Sequence, residues 1–282
     1  FEQLPPAGTG ECAAPKLLQY AYQNGLEPIA MAEFWWGDSP KGEIRKHGYF
    51  YPSCKHKCEP ILGFMLQGLD VEPNPLLITN TDASQLETIY EDEYLLAVDK
   101  PAGMLIHPSH SRNSGTLANL VAGYYAKTGQ KCAFHPLTRL DRDTFGVVLL
   151  GKNAHVHTLL QQTPVQKTYF ALTWGVPAQK EGVIDAPIAR RPLPSLLRYV
   201  SPEGKPSRTE FAVLERGQTH CKLELRPVTG RTHQLRVHCA HRGFPILGDP
   251  QYGSEDSREF SGMLGLPYQM LCAKKLELKH PI

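Results

Sequence analysis

One aspartate of this sequence lies in a setting that suits nucleophilic chemistry. Asp141 lies between Arg139 and Arg142, just before the apolar run 145–150. Nearby positive charge favours the ionised carboxylate, and a carboxylate fixed at the lip of a buried strand can attack an electrophilic carbon. The alternative is an aspartate that only caps a helix or closes a turn.

The elements that must position Asp141 follow from the apolar periodicity. Alternation is typical of strands, and apolar residues three and four apart are typical of helices. The predicted strands are 94–98, 145–150, a segment through Tyr169, the hairpin 207–214 and 219–226, and 270–278; the predicted helices are 14–22, 116–126, 153–161 and 231–240. The strands outnumber the helices, which predicts an α+β fold with a mainly antiparallel mixed sheet flanked by helices.

Prolines and polar residues in 71–84 predict a linker, so residues 1–84 form a small amino-terminal extension and 85–282 the catalytic domain. The extension has six Lys/Arg against ten Asp/Glu, a net charge of −4, and the remainder has 24 against 18, a net charge of +6. A basic second segment suits a polyanionic partner, although a solvated basic face is an equal alternative.

The overall composition predicts a folded cytoplasmic protein. The hydrophobic content of 41% supports a sizeable core. No stretch approaches the roughly 20 apolar residues of a membrane span, and the start lacks a signal-peptide pattern. The seven cysteines are odd in number and scattered, which predicts reduced thiols.

Four blocks of the sequence, taken in order, resemble the motifs of a known family. They are Lys100–Pro108, Thr138–Gly146, Lys167–Leu172 and Gly230–His238. Together they resemble the RluA-type pseudouridine synthases (RluA/RluC/RluD-like), in the long bacterial form with an amino-terminal extension. These enzymes isomerise uridine in RNA to its C5-linked form. The resemblance extends over about two thirds of the chain.

The resemblance implies an active site without a cofactor. It makes Asp141 the nucleophile, with attack on ribose C1′ or on uracil C6 left open. It makes Tyr169 the side chain that stacks on the uracil, and Arg231 the ion-pair partner of Asp141. A tyrosine in an alternating strand is otherwise an ordinary core residue.

The resemblance also implies a set of substrate-binding residues. Arg139 would hold the flipped nucleotide; its alternative is a surface ion pair with Asp143. Leu235, four residues after Arg231 on a predicted helix, would form the apolar floor under the base, or pack in the core. Lys167 would neutralise charge or be exposed to solvent. The remaining substrate-binding residues are Lys100 and His107, in the first block.

The match has departures beside the nucleophile. Thr138 replaces a histidine and Phe145 a serine of the usual pattern, and Asp99 replaces an asparagine. These changes predict a different loop geometry or substrate preference. Residues 1–84 do not resemble the small basic RNA-binding module that many relatives carry.

Two groups of residues could suggest a metal, and we predict none. The first is His233, His238 and His241, but about 140° separates the first two around a helix axis. The second is Cys12, Cys54 and Cys58, with His47 or His56 nearby, and its spacing is loose for a zinc site.

These features predict a monomeric RNA pseudouridine synthase that acts on 23S rRNA or tRNA. One alternative is a catalytically idle RNA-binding or ribosome-assembly factor. Another is a glycoside hydrolase with Asp141 and Asp143 as its carboxylates, which explains neither the arginines nor the tyrosine.

Overall fold

A computed structural model describes residues 8–38, 47–51, 57–71, 85–108, 114–192 and 195–282. The chain divides into two compact units, Phe1–Pro73 and Asn74–Ile282. Residues 72–84, with the boundary predicted at residue 84, lie outside the described ranges, so that boundary stays a prediction. Within these ranges no helix has the length and apolar character needed to cross a bilayer.

The described residues of the first unit form two short helices and a two-stranded ladder. Its elements are α1 (Ala13–Gln23), β1 (Glu33–Phe34), β2 (Phe50–Tyr51) and α2 (Glu59–Met65). Ala14 and Leu18 of α1 are buried against Cys58 and Leu62, because the apolar positions of α1 fall on one side of the helix. The helix predicted over 14–22 is confirmed.

In the second unit, the residues that the structure describes form a large sheet, a separate two-stranded ladder and four helices. Its elements are β3 (Glu87–Glu91), β4 (Leu95–Lys100), α3 (Leu117–Lys127), β5 (His135–Pro136), β6 (Phe145–Gly151), α4 (Ala154–Gln162), β7 (Val165–Trp174), β8 (Glu181–Asp185), β9 (Ile188–Arg190), β10 (Arg198–Val200), β11 (Arg208–Arg216), β12 (His220–Pro227), α5 (Gln234–His241), α6 (Glu255–Met263) and β13 (Leu271–Leu278).

The sheet is mixed and mainly antiparallel. Its order is β3-β4-β6-β13-β7-β12-β11-β8, with β5 also paired to β6, and β9 and β10 form a separate ladder. The pairing of β13 with β6 is parallel, whereas the other ladders among the described strands are antiparallel. The predicted α+β fold with a mainly antiparallel sheet is therefore confirmed.

Helices cover both faces of β4 and β6. Leu96, Val98 and Val148 belong to the main core with α3 and α5. Their neighbours in sequence point the other way, since strand side chains alternate, and Leu95 and Leu149 pack with α4. The sequences of both strands are therefore continuous apolar runs, which is typical of strands that are buried on both faces of a sheet.

The sheet register places one row of residues across four neighbouring strands. Lys100 pairs with Gly146, Gly146 with Ala273, and Ala273 with Tyr169. Gly146 has φ 108°, and a Cβ there would collide with the backbone carbonyl of Ala273. Residue 146 must therefore be glycine, and Lys100 and Tyr169 flank Gly146 and Ala273 on the same face of the sheet.

The last predicted helix begins later than expected. Residues 231–240 were predicted to be helical, but α5 starts at Gln234 after His233, whose φ of 57° is left-handed. The chain turns sharply there, so Arg231 precedes the helix rather than lying on it. The prediction that Arg231 and Leu235 share a helix face is wrong for this reason.

Candidate active site

Asp141 lies on the loop between β5 and β6, with its side chain 28% exposed. The loop is tied down on both sides of it. Upstream, Thr138 is buried and its hydroxyl accepts a hydrogen bond from the Leu149 amide at 3.3 Å. Downstream, the Thr144 amide donates to the Asp141 carbonyl at 3.2 Å. The carboxylate is thus exposed enough to meet a substrate while its backbone is anchored to β6.

Arg236 of α5 is the ion-pair partner of Asp141. Its Nη1 donates to Asp141 Oδ2 at 3.0 Å, and its Nε and Nη2 donate to the two oxygens of the fully buried Asp249 at 2.7 and 2.8 Å. Nη2 also donates to Gln251 Oε1 at 2.7 Å. Burial alone would lower the pKa of Arg236, but the two carboxylates outweigh it and raise that pKa. A permanent cation is therefore held against Asp141 by a fixed set of acceptors.

Arg231 does not form the ion pair that the resemblance implied. Its side chain is exposed, and its Nε donates to the Pro206 carbonyl at 3.2 Å. The left-handed turn at His233 separates its backbone from α5, and Arg236, two residues into the helix, meets Asp141 instead. The assignment of the ion pair to Arg231 is therefore corrected to Arg236.

Tyr169 of β7 is buried, with 9% of its surface exposed. Burial, and secondly the negative charge of Asp141, raise its pKa to about 12. The phenol therefore keeps its proton at neutral pH and can donate a hydrogen bond. The sheet register places Tyr169 in the same row as Lys100, and Lys100 Nζ binds the Arg142 carbonyl of the loop that carries Asp141.

Lys100 is not available to a substrate, contrary to the prediction. It is fully buried, and its Nζ donates to the carbonyls of Pro101, Met104 and Arg142, each at 2.9 Å. Those three bonds use all three ammonium protons. Lys100 therefore joins the turn after β4 to the loop that carries Asp141, and its role is to position that loop.

We expect Lys100→Met to destabilise the fold by about 2–4 kcal/mol, because three backbone carbonyls lose the buried donor that joins them. Burial lowers the pKa of Lys100 to about 8 from 10.5. Between these values the unfolded chain binds more protons than the folded chain, so this lysine makes the wild type more stable as pH rises. The stability difference between wild type and variant should therefore increase from pH 8 to pH 10. Urea unfolding at both pH values measures it, and a constant difference would contradict the prediction.

The other expected substrate residues lie in different settings. Arg139 is exposed next to Asp141, while Asp143 pairs with Arg142 at 2.8 Å. Leu235 is 7% exposed and belongs to the main core. Lys167 is partly buried in a groove that Lys274, Lys275 and Arg226 also line, and His107 is exposed with its ring edge against Phe134.

Residues 249–252 and His233 complete the site and were missed in the sequence. Asp249 and Gln251 hold Arg236, and the Arg236 guanidinium lies over the Tyr252 ring, 4.9 Å from its centroid. His233 Nε2 lies 3.9 Å from Asp141 Oδ2. Gly248–Gly253 has no spacing that distinguishes it from an ordinary turn, so only the three-dimensional structure brings it to Asp141.

Two of the three helix-region histidines considered for a metal, His233 and His238, have other partners. His238 Nδ1 lies 2.9 Å from the Thr209 hydroxyl and its Nε2 2.9 Å from the Ala186 carbonyl. Of the second group, Cys58 is buried between α1 and α2, while Cys54 and His56 lie outside the described residues. Across the part of the chain that the structure describes, no three His, Cys, Asp or Glu side chains are grouped to hold a metal ion.

Comparison with known proteins agrees with this geometry. Residues 94–241 match the family described as RNA pseudouridylate synthase. Over 210 residues the chain is 39% identical to ribosomal large subunit pseudouridine synthase D of Nitrosomonas europaea, a match that covers 71% of this chain and 60% of that protein. Over 222 residues it is 37% identical to the uncharacterized RNA pseudouridine synthase YlyB of Bacillus subtilis, covering 76% and 69%.

A solved structure gives the same result for the fold. Human RNA pseudouridylate synthase domain containing 1 superimposes with a TM-score of 0.58 at 26% identity, over 74% of this chain and 84% of that one. The sequence matches include most of the sheet and both Asp141 and Arg236. The resemblance drawn from the four sequence blocks is confirmed, and the chain belongs to the RNA pseudouridylate synthase family.

Proposed function

We propose that the protein isomerises specific uridines to pseudouridine in a structured RNA, with Asp141 as the nucleophile. The observation that carries the proposal is the Asp141 carboxylate, partly exposed and held by the buried Arg236. The reaction breaks the bond from C1′ to N1 and forms one from C1′ to C5. A proton leaves C5 and N1 gains one, so no redox partner or cofactor is required.

Three residues of the site have different roles in the proposed reaction. The Arg236 guanidinium holds and orients the Asp141 carboxylate by donating to its Oδ2. Attack at C1′ or at C6 would begin from the same oxygen. Tyr169 supplies a buried aromatic face for the uracil, and its protonated hydroxyl a hydrogen-bond donor.

The RNA is proposed from the relatives. The Nitrosomonas protein is named for the large ribosomal subunit, which favours 23S rRNA over tRNA, and we place the protein in the cytoplasm with its substrate. A single chain should suffice, because Asp141, Tyr169, Arg236 and Asp249 all come from one chain.

The direct test is tritium release from unmodified RNA transcripts labelled at uridine C5. Release from 23S rRNA, together with one pseudouridine missing from the rRNA of cells that lack the protein, would support the proposal. RNA binding without release on any rRNA or tRNA would favour the idle assembly factor instead.

Arg139→Ala should impair turnover about tenfold more on folded RNA than on a short strand whose target uridine is already unstacked. Extruding a stacked base costs a few kcal/mol, and an exposed guanidinium beside Asp141 can offset part of that by stacking and by binding phosphate. Single-turnover rates on both substrates measure the effect. Equal losses on the two substrates would contradict a role in base flipping.

A further inference from the structure

His233 has an unusual backbone conformation. With φ 57° and ψ 18°, it is the single non-glycine residue with positive φ among those the structure describes. This conformation costs an L-residue with a Cβ about 1 kcal/mol or more, and such strain persists where the surroundings over-determine it. Its side chain makes no hydrogen bond that caps α5. The strain is therefore not explained by helix capping.

The imidazole of His233 lies between two groups of the site. Its Nδ1 lies 2.8 Å from the Tyr252 hydroxyl oxygen, and its Nε2 lies 3.9 Å from Asp141 Oδ2. Burial lowers the pKa of His233, against the opposing influence of Asp141, so the ring is neutral at neutral pH. A neutral imidazole has one N–H, and the position of that proton decides what the ring offers Asp141.

The neighbours of Tyr252 determine the position of that proton. The Tyr252 hydroxyl oxygen already accepts the Arg198 amide hydrogen at 2.9 Å. Its own proton remains to be donated, and His233 Nδ1 is the acceptor within hydrogen-bond distance. The ring proton then lies on Nε2, the nitrogen nearer to the Asp141 carboxylate, whose negative charge also favours a proton on that side.

His233 and Arg236 approach the same carboxylate oxygen. Arg236 Nη1 donates to Oδ2 at 3.0 Å, and His233 Nε2 is also nearest to Oδ2. Tyr252 supports both partners, since its hydroxyl meets the imidazole and its ring lies under the guanidinium. A second donor on Oδ2, beside Arg236, would restrict rotation of the carboxylate and leave Oδ1 for the attack.

We propose that His233 is a positioning residue, whose Nε2–H, fixed by Tyr252, moves into hydrogen-bond distance of Asp141 Oδ2 in the substrate complex and holds Oδ1 toward the reacting carbon. The proposal rests on the proposed function. It explains the left-handed backbone conformation of His233, because that conformation places the imidazole between Asp141 and Tyr252.

His233→Gly is the test variant, because glycine adopts φ 57° without strain and lacks only the side chain. We expect unchanged or higher thermal stability, unchanged RNA affinity, and a single-turnover rate about 10- to 100-fold lower, as for loss of a hydrogen bond to a charged group. His233→Asn should regain part of the rate, since asparagine tolerates the left-handed region and carries an N–H donor. His241→Asn, on the exposed end of α5, is the matched histidine control and should have the wild-type rate.

Tyr252→Phe removes the hydroxyl and keeps the ring over Arg236. It should lower the rate in the wild type but have little further effect in His233→Gly, because both changes remove one interaction. A His233→Gly variant with the wild-type rate would overturn the proposal, as would full additivity of the two changes.

A measurement without turnover separates this inference from the proposed function. Histidine ¹⁵N spectra of the RNA-free protein should show the Nε2–H tautomer for His233 in the wild type and lose that preference in Tyr252→Phe. An Nδ1–H tautomer in the wild type would overturn the inference whatever the activity. A wild type that isomerises no RNA but shows the Nε2–H tautomer would overturn the proposed function and retain the His233 geometry.

Discussion

Asp141→Asn should abolish pseudouridine formation, with a loss of at least about 10⁴-fold, while the fold and RNA affinity persist. Asparagine keeps the size and shape of the side chain but has no anionic oxygen for covalent attack. The side chain is partly exposed and its backbone is anchored by neighbours on β6, so the exchange disturbs little else. Tritium release from C5-labelled RNA, with affinity measured on the same RNA, tests both parts.

Asp143→Asn is the matched control for this variant. Asp143 lies two residues away and pairs with the exposed Arg142, so its loss should reduce turnover by less than about tenfold. If Asp143→Asn were the inactive variant and Asp141→Asn kept substantial turnover, the nucleophile would be misassigned. Circular dichroism of both proteins shows whether either loss comes from unfolding.

Arg236→Met should reduce both activity and stability. The buried guanidinium neutralises the fully buried Asp249, and removing one partner of such a pair costs about 3–5 kcal/mol. The Asp249 carboxylate then remains buried without its cation and without the two hydrogen bonds that the guanidinium donates. Urea unfolding of the wild type and the variant measures the loss of stability.

The double variant Arg236→Met/Asp249→Asn separates catalysis from stability. It removes the buried charge, so much of the stability should return, whereas Asp141 still lacks its cation. Activity should therefore stay at least about 100-fold low, because the guanidinium no longer holds and orients the Asp141 carboxylate. Full activity with restored stability would show that Arg236 serves only the fold.

Arg231→Leu is the matched arginine control. The Arg231 side chain is exposed and its Nε donates to the Pro206 carbonyl, so the free energy of unfolding should change by less than about 0.5 kcal/mol. Turnover should stay at the wild-type rate. A large loss of turnover in Arg231→Leu, and none in the double variant, would return the ion pair to Arg231.

The sheet could be predicted from sequence to a large extent because its signals are local. The hairpin of β11 and β12 and the buried strand β6 appear as alternation and as an apolar run, and both are present. The central position of β13 could not be predicted, because its parallel partner β6 lies far away in the sequence and a short stretch of residues does not indicate a distant partner. The sequence predicts that 270–278 is a strand, but not which strands it pairs with.

A site residue can be predicted from sequence only where its role depends on its type and its block. Asp141 and Tyr169 are predicted on that basis, and their roles stay predictions. Two arginines stand five apart in one block, and the left-handed turn at His233 decides which of them meets Asp141. The prediction that Lys100 binds substrate is wrong because its partners are backbone carbonyls from two loops. Every residue has a backbone carbonyl, so the sequence does not indicate which carbonyls a lysine will bind.

The position of β13 has a consequence during protein synthesis. Asp141 precedes β6 and Tyr169 lies on β7, and β13 is inserted between these two strands although it is translated more than 95 residues after Tyr169. Until Leu271–Leu278 leaves the ribosome, β6 and β7 each have an unpaired edge. The exposed N–H and C=O groups of these edges can pair with strands of other chains. The nascent enzyme should therefore acquire its active site in one late step, when a strand from the far end of the sequence closes the sheet.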